Sequence, residues 1–185
     1  MKVKLYKILT ILLIIMLSAS PALARGVISL GGAGLSSLIL YGTAIAGGNS
    51  NYSIQVAASG PSLAECRNPG NGNLVPGQNY PHVEAMGEAG LDSDGSSKKG
   101  QPGKRSFTVH TEDDFNITWD EAGCPNSNWD AKVIFVFWDT ATLSLVDAEG
   151  NVVDELNVAC KTEYTGPQND SNTFDDGTIT CWEVH

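Results

Sequence analysis

CPNSNWDAKVIFVFW, from Cys124 to Trp138, opens with a cysteine and a Pro/Asn/Ser turn and closes on six residues that are all β-branched or aromatic. Such a run predicts a strand buried on both faces, at the centre of a sheet pair. The flanking sequence reads as shorter strands around it. Ser106 to His110 is one, and Phe115 to Trp119 another, with Phe115, Ile117 and Trp119 alternating against polar neighbours. Beyond Trp138, Ala141 to Val146 and Val152 to Cys160 flank Asp147-Ala148-Glu149-Gly150-Asn151, a hairpin signal. Thr178 to Val184 supplies the last strand, after a polar loop at 161–177.

Upstream, residues 26–48 carry no charge after Gly26 and could be read as a membrane helix. Gly31, Gly32, Gly34, Gly42, Gly47 and Gly48 disfavour a helix. The apolar run Ser37 to Ala46, the turn-rich Gly47 to Asn51 and a second run from Tyr52 to Ala58 predict a hairpin instead. Residues 60–81 contain Pro61, Pro69, Pro76 and Pro81 and predict a shaped loop rather than a central strand. A short strand follows at Pro81 to Met86. Residues 87–105, rich in Gly, Ser and charge, predict a flexible, protease-sensitive loop. The fold class is all-β, a two-sheet β-sandwich of Ig-like or jelly-roll-like form.

The N-terminus sets the compartment. Lys2, Lys4 and Lys7, the apolar Ile8 to Leu17 and the small-x-small Ala22-Leu23-Ala24 predict an export signal over 1–24. Its apolar core is too short to span a bilayer. A Gly-rich lead-in at 25–34 and a sandwich domain at 35–185 complete the organisation. Against 11 basic residues stand 21 acidic ones, a formal net charge of −10. Signal removal would take three lysines and deepen the deficit. Such a surface repels nucleic acid and anionic lipid, so neither is an expected partner, and no membrane association is expected after cleavage. A glycan or another extracellular protein is.

The four cysteines, Cys66, Cys124, Cys160 and Cys181, read as two disulfides in an exported chain. Three pairings are formally open. Cys160 ends one predicted strand and Cys181 lies in the next, which favours Cys160–Cys181 and, by remainder, Cys66–Cys124. No CxxC pair suggests zinc.

Two pieces of the chain, CRNPGNGNLVPGQNYP from Cys66 and CPNSNWDAKVIFVFW from Cys124, resemble a pattern in uncharacterised secreted all-β proteins. There, a strand ends in a cysteine and an Asn-Pro-Gly-rich loop with a Pro-Gly-Gln-Asn step, and a later cysteine precedes Pro-Asn-x-Asn-Trp. Cys66, Asn68, Pro69, Gly70, Pro76, Gly77, Gln78, Asn79 and Pro81 match the first piece. Cys124, Pro125, Asn126, Asn128 and Trp129 match the second. The resemblance covers about half of the chain beyond the signal, supports pairing Cys66 with Cys124, and implies no activity. Cys160 and Cys181 fall outside it.

Catalytic chemistry is thinly represented. The histidines are His82, His110 and His185; there is no HExxH helix, GxSxG elbow or P-loop. His110-Thr111-Glu112-Asp113-Asp114 could serve a hydrolase, but it reads first as a solvated acidic turn. Asp92-Ser93-Asp94-Gly95 and the loop Asp170, Asn172, Asp175, Asp176 are oxygen-rich, yet neither completes a calcium loop, so no metal and no cofactor are expected. Trp119, Trp138 and Trp182 lie in strand-like runs and are expected in the core. Tyr80 and Trp129 lie in loops and are the expected exposed rings. Asn51, Asn116 and Asn169 begin glycosylation sequons, which matter only in a glycosylating host. The leading expectation is a secreted, non-catalytic binding or structural module. The alternatives are a carbohydrate-active hydrolase working near His110, and a fibre subunit that assembles by strand exchange through 26–58.

Overall fold

The computed structural model describes residues 27–34, 37–46, 51–92, 103–112, 114–164 and 177–184. The export signal lies outside them. Ten strands form among these residues: β1 (Val27–Gly34), β2 (Ile39–Ala46), β3 (Ser53–Arg67), β4 (Leu74–Pro76), β5 (His82–Gly90), β6 (Gly103–His110), β7 (Asp130–Val136), β8 (Thr140–Val146), β9 (Val152–Tyr164) and β10 (Gly177–Glu183). They build two antiparallel sheets, one of three strands in the order β1-β2-β6 and one of seven. The fold is all-β, as expected, and the two sheets share one core.

Alternation explains the core. Leu38, Leu40 and Ala44 beside β2, and Phe107 and Val109 of β6, point inward from the small sheet. Ile54, Val56 and Ala58 of β3, Leu143 and Leu145 of β8, and Val158 of β9 meet them from the large one. Ile54, Leu143 and Leu145 are fully buried, each worth about 1.5–3 kcal/mol of transfer free energy. A smaller cluster of Ala64, Cys66, Ala122 and Cys124 sits under one end of the large sheet, with Trp129 packed against it.

The central element is β3, not the Cys124–Trp138 run. Over Ser53–Pro61 β3 pairs with β5, and over Ser53–Ser59 with β8. Over Glu65–Arg67 it pairs with β4, and over Ser62–Arg67 with β7. Residues 74–90 and 130–146 thus run along its two edges. β7 pairs with β3 alone. A register shift between Leu63 and Ala64 leaves Ile134 as an extra residue on β7, so the run is not buried on both faces throughout. Val133, Ile134 and Phe137 are half-buried, whereas Phe135, Val136 and Trp138 are buried. Phe135 and Phe137 make an edge-to-face pair at 4.9 Å between centroids.

Pro61 lies inside this central strand, against the expectation of a loop over 60–81. It is tolerated because β8 gives way to β7 opposite it. Its carbonyl accepts from Phe137 N at 2.8 Å, and its missing N–H falls at this irregular join. Gly60 is required beside it: a Cβ there would overlap the Phe137 carbonyl oxygen.

Four further expectations are corrected. The runs at 37–46 and 52–58 do not form a hairpin; β2 belongs to the small sheet and β3 to the large one, and they face each other across the core. Residues 115–119 form no strand; Phe115 instead packs on Trp138 at 6.1 Å. The loop at 87–105 is shorter than expected, since β5 continues to Gly90 and β6 begins at Gly103. The stretch read as a Gly-rich lead-in forms β1, so residues 26–48 are strand where described except for the turn at Ser37-Leu38. No helix among the described residues is long and apolar enough to cross a membrane.

Both disulfides join the expected partners. Cys160 and Cys181 are direct cross-strand partners of β9 and β10, with Cα atoms 4.1 Å apart. Cys66 and Cys124 close a separation of 58 residues. Two bridges suit an oxidising compartment.

A candidate binding face on the large sheet

The period of two that buries one face of β3 turns Gln55, Ala57 and Ser59 outward. Register then fixes their neighbours. Gln55 lies between Glu88 and Ser144, Ala57 between Met86 and Thr142, and Ser59 between Glu84 and Thr140. Around Ala57 and Ser59 the side chains of the central strand are shorter than those beside them, so the outer face is a trough along β3. Its two parts have volumes of about 440 Å³ and 230 Å³ and share Ala57 and Met86.

One wall carries Glu84, Met86 and Glu88, with Glu112 entering from the segment after β6. The other carries Thr140, Thr142 and Ser144. Met86 is 67% exposed. The hydroxyls are already ordered: Ser59 Oγ and Thr140 Oγ1 are 2.9 Å apart, and Thr142 Oγ1 donates to Asn157 Oδ1 at 3.2 Å. In register beyond Thr140 come Ala159 and then Trp182. Trp182 is 48% exposed, against its expected place in the core. The edge position of β10 leaves its outward ring uncovered.

The acidic segment after His110 is split by the fold. His110 points outward at the end of β6, Thr111 is buried with Oγ1 accepting from Leu38 N, and Glu112 reaches the trough. Asp113 lies outside the described residues. Asp114 instead lines a separate hollow of about 190 Å³ with His82, Glu84 and Glu121. His82 Nε2 stands 4.0 Å from an Asp139 carboxylate oxygen. The resolved pKa shifts come from local bonding at the surface. Thr118 donates from its backbone N–H and its hydroxyl to Glu121 and holds that carboxyl below its ordinary value. Asn151 does the same for Asp147 in the β8–β9 turn. Lys161 lowers Glu163 and is itself raised by it.

Polar side chains of the cysteine-linked motifs bond within their own loops. Asn68, Asn71 and Asn126 each accept from the backbone N–H two residues on, so they fold their own turns. Asn79 donates to the Asp120 carbonyl, and Gly77 N to the Ala64 carbonyl, which pins the Pro-Gly-Gln-Asn step onto the stapled end. At that end Tyr80 is 67% exposed, as expected. Trp129 is half-buried over the small cluster, and Trp119 is in a turn and partly exposed.

Among the described residues no three metal-ligating side chains converge. Asp92 makes a backbone bridge with Ser106; the rest of its oxygen-rich loop and the whole Asp170 loop lie outside the described residues. Of the sequons, Asn51 and Asn116 are exposed, and Asn169 lies outside. The trough was missed in the sequence because none of its residues forms a motif. The only signal was the Ala/Ser/Gln set alternating with Ile54, Val56 and Ala58. No family model, no curated protein and no solved structure matches the chain.

Proposed function

We propose that the chain is an exported, non-catalytic module that binds a neutral glycan along the trough over β3. The observation that carries the reading is the trough itself: small side chains on the floor, ordered hydroxyls on one wall and carboxylates on the other. Polar groups held by a rigid sheet orient a polyhydroxylated ligand at low entropic cost. Carboxylates on one wall accept from sugar hydroxyls and repel acidic polysaccharides. The exposed Trp182 ring offers an apolar face at the far edge. The export signal read at 1–24 and two disulfides that suit an oxidising compartment support a module that works outside the cell.

The test is retention of the chain on neutral polysaccharides in affinity electrophoresis, beside an Ala57→Arg variant that fills the trough. Wild-type retention, weakened about tenfold or more in the variant at unchanged melting temperature, supports the reading; tenfold is about 1.4 kcal/mol. Equal retention of both proteins, or none on any neutral polysaccharide, overturns it. Release of new reducing ends would favour the hydrolase alternative.

A further inference from the structure

We infer that β1 is an exchangeable strand, and that a second copy of this chain is its partner. The two sheets meet along two seams, which are closed by different chemistry. At the β5–β6 seam, backbone bonds backbone: Asp92 N donates to Ser106 O at 2.9 Å and Glu112 N to Met86 O at 2.8 Å. Gly87 lies so close to the His110 carbonyl that a Cβ would overlap it. The other seam is where β1 lies beside β9 and β10. There the outward N–H groups of Ile28 and Leu30 donate to side chains, the Asp154 carboxylate at 3.0 Å and the Glu183 carboxylate at 3.1 Å. Both carboxylates are half-buried.

β1 is also rich in glycine and irregularly paired. Gly31, Gly32 and Gly34 offer no side chains to the core, and its register with β2 slips between Leu30 and Gly32. Ile28 is its one buried residue among those whose side chains are described. The two ends that flank the link from β1 to β2 are fixed. Gly34 pairs with Ile39 across the turn, while Leu38 is clamped to the segment after β6 by Leu38 N to Thr111 Oγ1 and Thr111 N to Leu38 O, each 3.0 Å. β2 therefore stays in place when β1 leaves it. A β1 from another copy would meet the same β2 register and the same two carboxylates, so exchange loses no contact. Exchange of an identical element between copies is a low-cost route to a dimer.

The experiment mixes two versions of the full chain, Ser29→Cys and Thr43→Cys, under mild oxidation. Ser29 and Thr43 are direct partners across β1 and β2. In separate monomers the new thiols sit in different molecules; after exchange they face each other. The expected result is a disulfide-linked heterodimer several-fold in excess of both homodimers, with a 29–43 crosslink by peptide mapping. Adding Asp154→Ala and Glu183→Ala to both chains should raise the crosslinking rate several-fold. A heterodimer yield no greater than the homodimers overturns the inference, even if the seam variants fail to fold. Glycan retention is scored on the unmixed chain, so either result leaves the trough reading to its own test.

Discussion

Gly60 is a position where a single added atom is costly. Its missing Cβ lets the Phe137 carbonyl approach the strand axis just where Pro61 interrupts the ladder. Gly60→Ala should destabilise the domain by roughly 1–3 kcal/mol, the range for forcing atoms into a filled site. Gly90→Ala, on the same sheet with open space around the new carbon, should stay within about 0.5 kcal/mol. Urea melts of the two variants check this, and equal midpoints would contradict the account of Gly60. A lone Gly in a strand pattern is legible as a close approach, but the sequence does not say to what.

The hairpin from β8 to β9 was fully legible, because its chemistry is local. Asp147 Oδ1 accepts from Glu149 N and Asn151 N, and the flanking residues alternate about a shared core face. The Cys160–Cys181 pairing was legible for the same reason, as two adjacent strands joined by a polar loop. Chain-entropy arguments assign roughly 3 kcal/mol to a loop of its size and roughly 4 kcal/mol to that of Cys66–Cys124. Replacing both cysteines of the latter pair by alanine should therefore lower the unfolding free energy more, by about 1 kcal/mol. Denaturant titrations compare the two, and a larger loss at Cys160–Cys181 would show that the β9–β10 ladder depends on its staple. Phe115 to Trp119 misled because alternation over five residues also arises where loop side chains lean on a core: Phe115 packs on Trp138, and Ile117 packs against both clusters.

Across the whole molecule, stability should grade outward from β3. Its backbone is flanked on both edges along most of its length, and its inward side chains fill the core. Amide hydrogen exchange should be slowest in β3 and the facing residues of β8, and fastest in β1 and β10, which close the side-chain seam. Uniform exchange across all strands would contradict this gradient.

Local composition was enough to establish strand content, the Cys160–Cys181 pairing, the β8–β9 turn and the acidic surface, while Cys66–Cys124 followed only by remainder and by resemblance. The first four follow from free energies set by near neighbours: side-chain alternation, turn chemistry and cysteines on successive strands. Which strands share a sheet was settled only in three dimensions. An apolar run, a Gly/Asn turn and a second apolar run describe equally two strands side by side and two strands facing each other across a core. β2 and β3 take the second arrangement because each buries its one apolar face against the other sheet. The same long-range choice put β3, with its proline, at the centre and moved the aromatic run of β7 to one side. It also set Ala57 and Ser59 between longer side chains, which makes the trough a property of register rather than of any motif.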